Sequence, residues 1–386
     1  NLLTLKHSLN TTPRVANTTG VHPQKPLLFI GGVHGDEPEG VRLAEDFLNW
    51  IQKNSNTPMR PWILIPCLNP DGYFRKERTN GNHVDLNRNF PCKDWSSEHK
   101  QPRYFPGTGP NSEPETQALV QLIEQTKPEL IIHFHSWKPC VVYTGSVAKP
   151  IADWLAKDTN YLSKEDIGYP TPGSLGQYGW IEKQIPVICI EEQEGAPLET
   201  VWDNFGKALI DLITSNQIKY IFFDLDDTLL DTSHLLIPIA GTEKYYEQIK
   251  QSLPLMANSE LSLNYLKNNH ELFLITQGDP EIQQQKIKSL EIAKFFKEIV
   301  IVNPKLNETK LMAFSRLREK YQMKPFEFLS IGNRKSTDLR FAKMLGGYTC
   351  LFHHGEHMNE EIIIPEDQPD FIVNNHQELL NLCQQK

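Results

Sequence analysis

Short, wholly apolar runs alternate with longer stretches in which apolar positions recur every three or four residues. PLLFIGGV (26–33) predicts a strand, GVRLAEDFLNWIQ (40–52) an amphipathic helix and WILIPCLNP (62–70) a second strand. ETQALVQLIEQT (115–126) predicts a helix, ELIIHFHS (129–136) and VICIEE (187–192) predict strands, and LETVWDNFGKALIDLI (198–213) predicts a further helix. Strands that are apolar throughout, separated by helices, imply an α/β fold with a mixed or parallel sheet covered on both faces. The alternation restarts at SNQIKYIFFDLDDTLLD (215–231) and continues through LFLIT (272–276), EIVIV (298–302), FEFLSIG (326–332) and TCLF (349–352). A boundary near Gln217 is expected, giving domains 1–216 and 217–386 with no Pro- or Gly-rich linker between them. The QQQ at 283–285 is too short to count as low complexity.

Composition narrows the function classes. A length of 386 residues suits two domains. The net charge is −9, with no basic run, which argues against a nucleic-acid partner. No stretch approaches a membrane span, so no membrane partner is expected either. The opening NLLTLKHSLNTT holds only a short apolar run, less than a signal peptide's core. Because the first residue is Asn1 rather than Met, a removed leader is left open. Six cysteines without paired spacing read as reduced thiols in a cytoplasmic protein. Oligomeric state is not legible.

Two constellations carry chemistry. His34 and Glu37 lie three apart on a turn after the first strand, and His135 ends the strand LIIHFHS. Two histidines and one glutamate with an open fourth position make a common catalytic zinc arrangement. Further along come NPDG (69–72), Arg78, VDLNRNF (84–90), HFHS and VICIEE. In this order the motifs resemble those of the zinc carboxypeptidases (funnelins), and among them the bacterial murein tripeptide amidases.

That resemblance implies a mixed β-sheet flanked by helices, with Zn²⁺ held by His34, Glu37 and His135. His133, two residues before His135, is expected on the opposite face of the strand. Glu191 would be the general base, with Glu192 as the competing choice. Arg78 would polarise the scissile carbonyl, with Arg75 as fallback. Asn87 and Arg88 would bind the terminal carboxylate, and Asp85 would orient a ligand imidazole. Tyr169 would close over the substrate, an ordinary loop aromatic being the alternative. The implied substrate is a small peptide, a murein tripeptide cut at γ-D-glutamyl-meso-diaminopimelate. A zinc amidohydrolase acting on N-acyl amino acids is the alternative.

The second constellation is FFDLDDTLLD (222–231), an apolar strand running into DxDxT. It resembles the haloacid dehalogenase (HAD) superfamily of Mg²⁺ phosphatases. The resemblance implies a Rossmann-like parallel sheet with at most a small cap. Asp224 would be the nucleophile and Asp226 the acid and base. Thr276 and Lys305 would bind phosphate, Lys310 being the alternative lysine. Mg²⁺ would be held by Asp224, the carbonyl of Asp226, and Asp338. Asn333 stands where many relatives carry Asp, which should weaken Mg²⁺ binding. A phosphorylated metabolite is the expected substrate; a non-catalytic binding or dimerisation module is the alternative.

Overall fold

The computed structural model describes residues 25–384 and divides into two compact units, with the break between Thr214 and Ser215. The N-terminal stretch weighed above as a leader lies outside the described residues.

The first unit is built on a six-stranded mixed sheet in the order β2-β1-β3-β6-β4-β5. Its strands are β1 (Leu27–Ile30), β2 (Trp62–Ile65), β3 (Leu130–Trp137), β4 (Cys140–Thr144), β5 (Leu162–Lys164) and β6 (Val187–Gln193). β1, β2, β3 and β6 run parallel, and β4 pairs antiparallel with β6. The helices α1 (Pro38–Lys53), α2 (Pro114–Thr126) and α3 (Val201–Thr214) bury apolar faces that include Phe47, Leu119 and Leu209. β4 and β5 were not expected from the sequence. β4 follows β3 after only a two-residue turn, so CVVYT reads as a continuation of the preceding run rather than a separate strand.

Gly40 sets how closely α1 approaches the sheet. A Cβ there would lie 2.3 Å from the carbonyl oxygen of Phe134, so only glycine lets the first turn of α1 rest on β3. That contact brings the turn carrying His34 and Glu37 against the end of the strand carrying His135.

The second unit has a six-stranded, all-parallel sheet in the order β12-β11-β10-β7-β8-β9. The strands are β7 (Tyr220–Phe223), β8 (Glu271–Gln277), β9 (Glu298–Val302), β10 (Phe328–Gly332), β11 (Tyr348–Phe352) and β12 (Phe371–Val373). Helices α4 (Ser259–Lys267), α5 (Pro280–Ser289), α6 (Lys310–Lys320) and α7 (His376–Gln384) belong to this unit. Phe222, Phe273, Phe314 and Phe328 form an aromatic core between sheet and helices. Between β7 and α4 lie only short helical turns, the small insertion that the sequence left room for. In both units the sites lie past the carboxyl ends of parallel strands, where open α/β sheets bind ligands.

Two candidate hydrolytic sites

In the first unit three side chains converge. Nδ1 of His34 is 2.7 Å from Oε1 of Glu37, and Nδ1 of His135 is 2.7 Å from Oε2 of Glu37 and 3.0 Å from Nδ1 of His34. All three residues are buried. Lone pairs this close repel unless a proton or cation lies among them, so two imidazoles and a carboxylate in this arrangement fit a zinc ion. The outer nitrogen of His34 meets Oδ1 of Asp85 at 3.1 Å. Oδ2 of Asp85 accepts from Nε of Arg78 at 2.9 Å, and Nη1 of Arg78 reaches Glu37 at 3.3 Å. Burial alone would raise the Asp85 carboxyl, but Arg78 and His34 outweigh it and hold it well below the usual carboxylate range.

His133 corrects the sequence reading. Residues two apart on a strand share a face, and Nδ1 of His133 lies 2.8 Å from Nε2 of His135. It is a neighbour of the site, not a residue of the far side. Burial, then the neighbouring His135, push its imidazole well below the ordinary histidine value.

A cleft of about 680 Å³ opens over these residues. Glu191 lines it; burial lifts its carboxyl above the ordinary value against the pull of His135. Glu192 turns to the opposite face, where it accepts from Asn204 at 2.8 Å and meets the hydroxyl of Tyr161. Asn87 and Arg88 line the cleft from a single turn capped by Asp85, which accepts from the Asn87 amide at 3.0 Å. Oδ1 of Asn87 is engaged by the Leu175 amide at 2.9 Å, leaving its Nδ2 as the donor for a ligand. Tyr169 lines the mouth, its ring edge-on to Trp137 at 5.8 Å. Arg75 is exposed and is not among the lining residues. Sequence reasoning missed Asp36 and Arg103, which line the cleft and pair at 3.0 Å. No spacing marks Arg103; Asp36 lay inside HGDE and was passed over.

In the second unit Asp224 follows β7. Nζ of Lys310 is 2.8 Å from its Oδ1 and 2.5 Å from Oδ1 of Asp338. The sequence favoured Lys305 for this place, and the structure corrects it. Lys305 is exposed on a turn before α6 and pairs with Asp279 at 3.0 Å, whereas Lys310 begins the helix and is buried. Burial and the facing Asp338 push the Asp224 carboxyl up to about 7 despite Lys310. A Cβ on Gly332 would lie 2.4 Å from Oδ2 of Asp338, so glycine there makes room for that carboxylate. The Asp224 and Asp338 carboxylates, both within reach of Lys310, offer oxygen donors of the kind magnesium prefers.

Asp226 accepts from Lys286 at 2.7 Å, Gln283 at 2.8 Å and Thr232 at 2.5 Å. Gln283 also reaches Thr276, the residue expected at the phosphate, at 2.8 Å. Nδ2 of Asn333 donates to the carbonyl of His354 at 3.4 Å. Gln283 and Lys286 were missed. They stand three apart on one face of α5; Gln283 opens the QQQ at 283–285, which had been weighed only for low complexity and found too short.

The family model described as "Zinc carboxypeptidase" matches residues 5–167. Murein peptide amidase A of Escherichia coli K12 is 33% identical over 162 residues, covering 39% of this chain and 64% of the relative. The same-named protein of Vibrio campbellii is 31% identical over 176 residues, covering 42% of this chain and 68% of the relative. The chain thus spans somewhat under two thirds of the E. coli relative's length. Among solved structures, a magnesium-bound HAD-hydrolase, YfnB, of Bacillus subtilis aligns over 44% of this chain and 100% of its own, with TM-score 0.35 and 16% identity. Among the described residues no helix is long and apolar enough to cross a membrane.

Proposed function

The chain belongs to the zinc carboxypeptidase family, and from that premise we propose that its first unit is a metallocarboxypeptidase that removes meso-diaminopimelate from the γ-D-glutamyl bond of murein tripeptides. The observation that carries this is the convergence of His34, Glu37 and His135 in the cleft that Glu191, Arg78, Asn87 and Arg88 also line. The names of the E. coli and Vibrio relatives support the substrate class. So do Glu165, Asp166 and Arg103 along the same cleft, because the far end of diaminopimelate carries both an ammonium and a carboxylate.

His34, Glu37 and His135 would hold zinc, which supplies a Lewis acid able to lower the pKa of water towards ~7. Glu191, buried and raised above the ordinary glutamate value, takes a proton from water and returns it to the leaving amine. Arg78 faces the carbonyl oxygen as charge develops there. The Arg88 guanidinium and the Asn87 amide hold the free α-carboxylate, which makes the enzyme an exopeptidase. Tyr169 closes the mouth.

The second unit is read as a magnesium-dependent phosphatase of HAD type. Asp224 attacks phosphorus, Thr276 and Lys310 bind the phosphoryl oxygens, and Asp226 exchanges the proton with leaving group and water. Magnesium, held by Asp224, Asp338 and the Asp226 carbonyl, would neutralise phosphoryl charge. The six unpaired cysteines support a reducing compartment, the cytoplasm.

Incubation with L-Ala-γ-D-Glu-meso-diaminopimelate, with products identified by mass, tests the peptidase reading. Release of free diaminopimelate is expected, and an intact tripeptide overturns the substrate. Release of phosphate from an aryl phosphate with Mg²⁺ tests the second unit. Its absence, with an unchanged peptidase, leaves that unit as a binding module.

A further inference from the structure

Outside both sites, the second unit brings together a third set of metal-ligating side chains. Nδ1 of His234 is 2.7 Å from Oδ1 of Asp231, and Nε2 of His354 is 3.0 Å from the same oxygen. One ligand atom from each of the three lies within 4.8 Å of the others. The two imidazole rings stand 5.6 Å apart between centroids.

The groups come from two segments 123 residues apart, and each segment is tied down. Asp231 caps a single helical turn (Thr232–Leu235) and accepts from the His234 amide at 3.3 Å, so carboxylate and imidazole sit on one turn three residues apart. His354 follows β11, with its amide on the carbonyl of Phe352 at 2.9 Å and its own carbonyl accepting from Asn333. The loop after it is stitched to the same helical turn: the Glu356 amide donates to Oγ of Ser233 at 3.0 Å, and that hydroxyl donates to Asp227 at 2.5 Å. The sequence of this loop, HHGEH (353–357), is histidine-rich, the composition of short metal-binding tracts.

We propose that Asp231, His234 and His354 bind a divalent transition-metal cation of the zinc class. Two imidazoles and one carboxylate select such an ion over magnesium or calcium, which prefer all-oxygen shells. The two ring nitrogens face one carboxylate oxygen; an ion there would take over those contacts, each neutral ring turning a lone pair to it and carrying its proton on the other nitrogen. The His234 side chain is 71% exposed, so an ion can enter from solvent and water can complete its shell. The site shares no ligand with the Asp224–Asp338 constellation. Its ion would clasp the turn after DxDxT to the loop after β11, and so brace two segments that Asp227 and Asn333 also touch.

The experiment uses the full chain, stripped of metal with a chelator and titrated with Co²⁺ while millimolar Mg²⁺ is present, read by the cobalt d–d absorption and by calorimetry. Two Co²⁺ per chain are expected in the wild type. H135A, altered in the first unit, should retain one. H234A should lose that second-unit ion while keeping the first-unit one, or bind it with affinity reduced by at least roughly 10-fold, and D231N and H354A should behave alike. A wild type whose bound Co²⁺ is all lost in H135A, or H234A and D231N titrating like the wild type, overturns the proposal. Because His234 is exposed, its variant remains informative even if H354A fails to fold.

Discussion

Nε2 of His34 lies 3.1 Å from Oδ1 of Asp85, while Nδ1 of the same ring faces Glu37 and His135. One nitrogen is thus aimed at the proposed metal position and the other is fixed by a carboxylate, which would settle the tautomer and turn the ring. The same Asp85 holds Arg78 through its other oxygen.

Asp85→Asn should therefore lower zinc affinity by about 10- to 100-fold. The amide can keep one acceptor but presents no charge to the imidazole. Competition against a chromophoric chelator measures this, and unchanged affinity would show that the ring needs no outer partner.

Glu191→Gln keeps the shape of the cleft and all of the proposed ligand atoms. Zinc content should stay at one per first unit while turnover falls by roughly 10²- to 10⁴-fold. Near-normal turnover would remove Glu191 as the base and direct attention to another group in the cleft.

Arg88→Gln should discriminate between substrates. Hydrolysis of a peptide with a free terminal carboxylate should drop far more than that of its amidated counterpart, since only the former uses the guanidinium fork. Equal losses on both would argue against carboxylate recognition by this turn. Asn87→Ala should follow the same pattern more weakly, its Nδ2 being a single neutral donor.

Lys310 and Lys305 were competing candidates for the phosphate in the sequence, and a pair of variants separates them. Lys310→Met removes the ammonium between Asp224 and Asp338 and should cut aryl phosphate turnover by roughly 10²- to 10³-fold. Lys305→Ala breaks an exposed pair with Asp279 and should leave turnover near wild type. The reverse order of losses would restore Lys305.

What the sequence made legible follows from the range of each interaction. The parallel strands β1, β3, β7 and β10 were readable because burial on both faces leaves an unbroken apolar run. β5 and β12 were not, being three-residue strands whose pairing comes from neighbours. His34 and Glu37 share one turn, so their spacing declared them. His133 was misplaced through a slip in strand parity, not for lack of signal. Lys305 and Lys310 differ only in where α6 begins, and a helix boundary is set by its cap. Thr309 caps that helix by accepting from the Met312 amide, which places Lys310 in the first turn. Gln283 and Lys286 reach Asp226 only through the packing of α5, across a separation of about 60 residues that no local pattern encodes.

The second unit should lose stability in mild acid through His376. This residue is fully buried at the start of α7, where Nε2 donates to the carbonyl of Thr228 at 2.7 Å and Nδ1 lies 2.8 Å from the hydroxyl of Ser262 on α4. Burial pushes its imidazole down to about 4, against 6.5 for a free histidine. The unfolded chain therefore takes up a proton that the folded chain refuses. The resulting stability is complete above about pH 6.5 and drains away as pH falls towards 4, on the order of 3 kcal/mol in all. His270, half-buried and lowered by that desolvation while donating to the Ile218 carbonyl, adds to the slope in the same direction. All seven tryptophans lie in the first unit, so their fluorescence does not report on this transition. Amide hydrogen exchange along β7 and β10 does. The wild type should lose protection there between pH 6.5 and 4, and His376→Asn, already destabilised at neutral pH, should show a shallower dependence. An equally steep loss in the variant would place the acid sensitivity elsewhere.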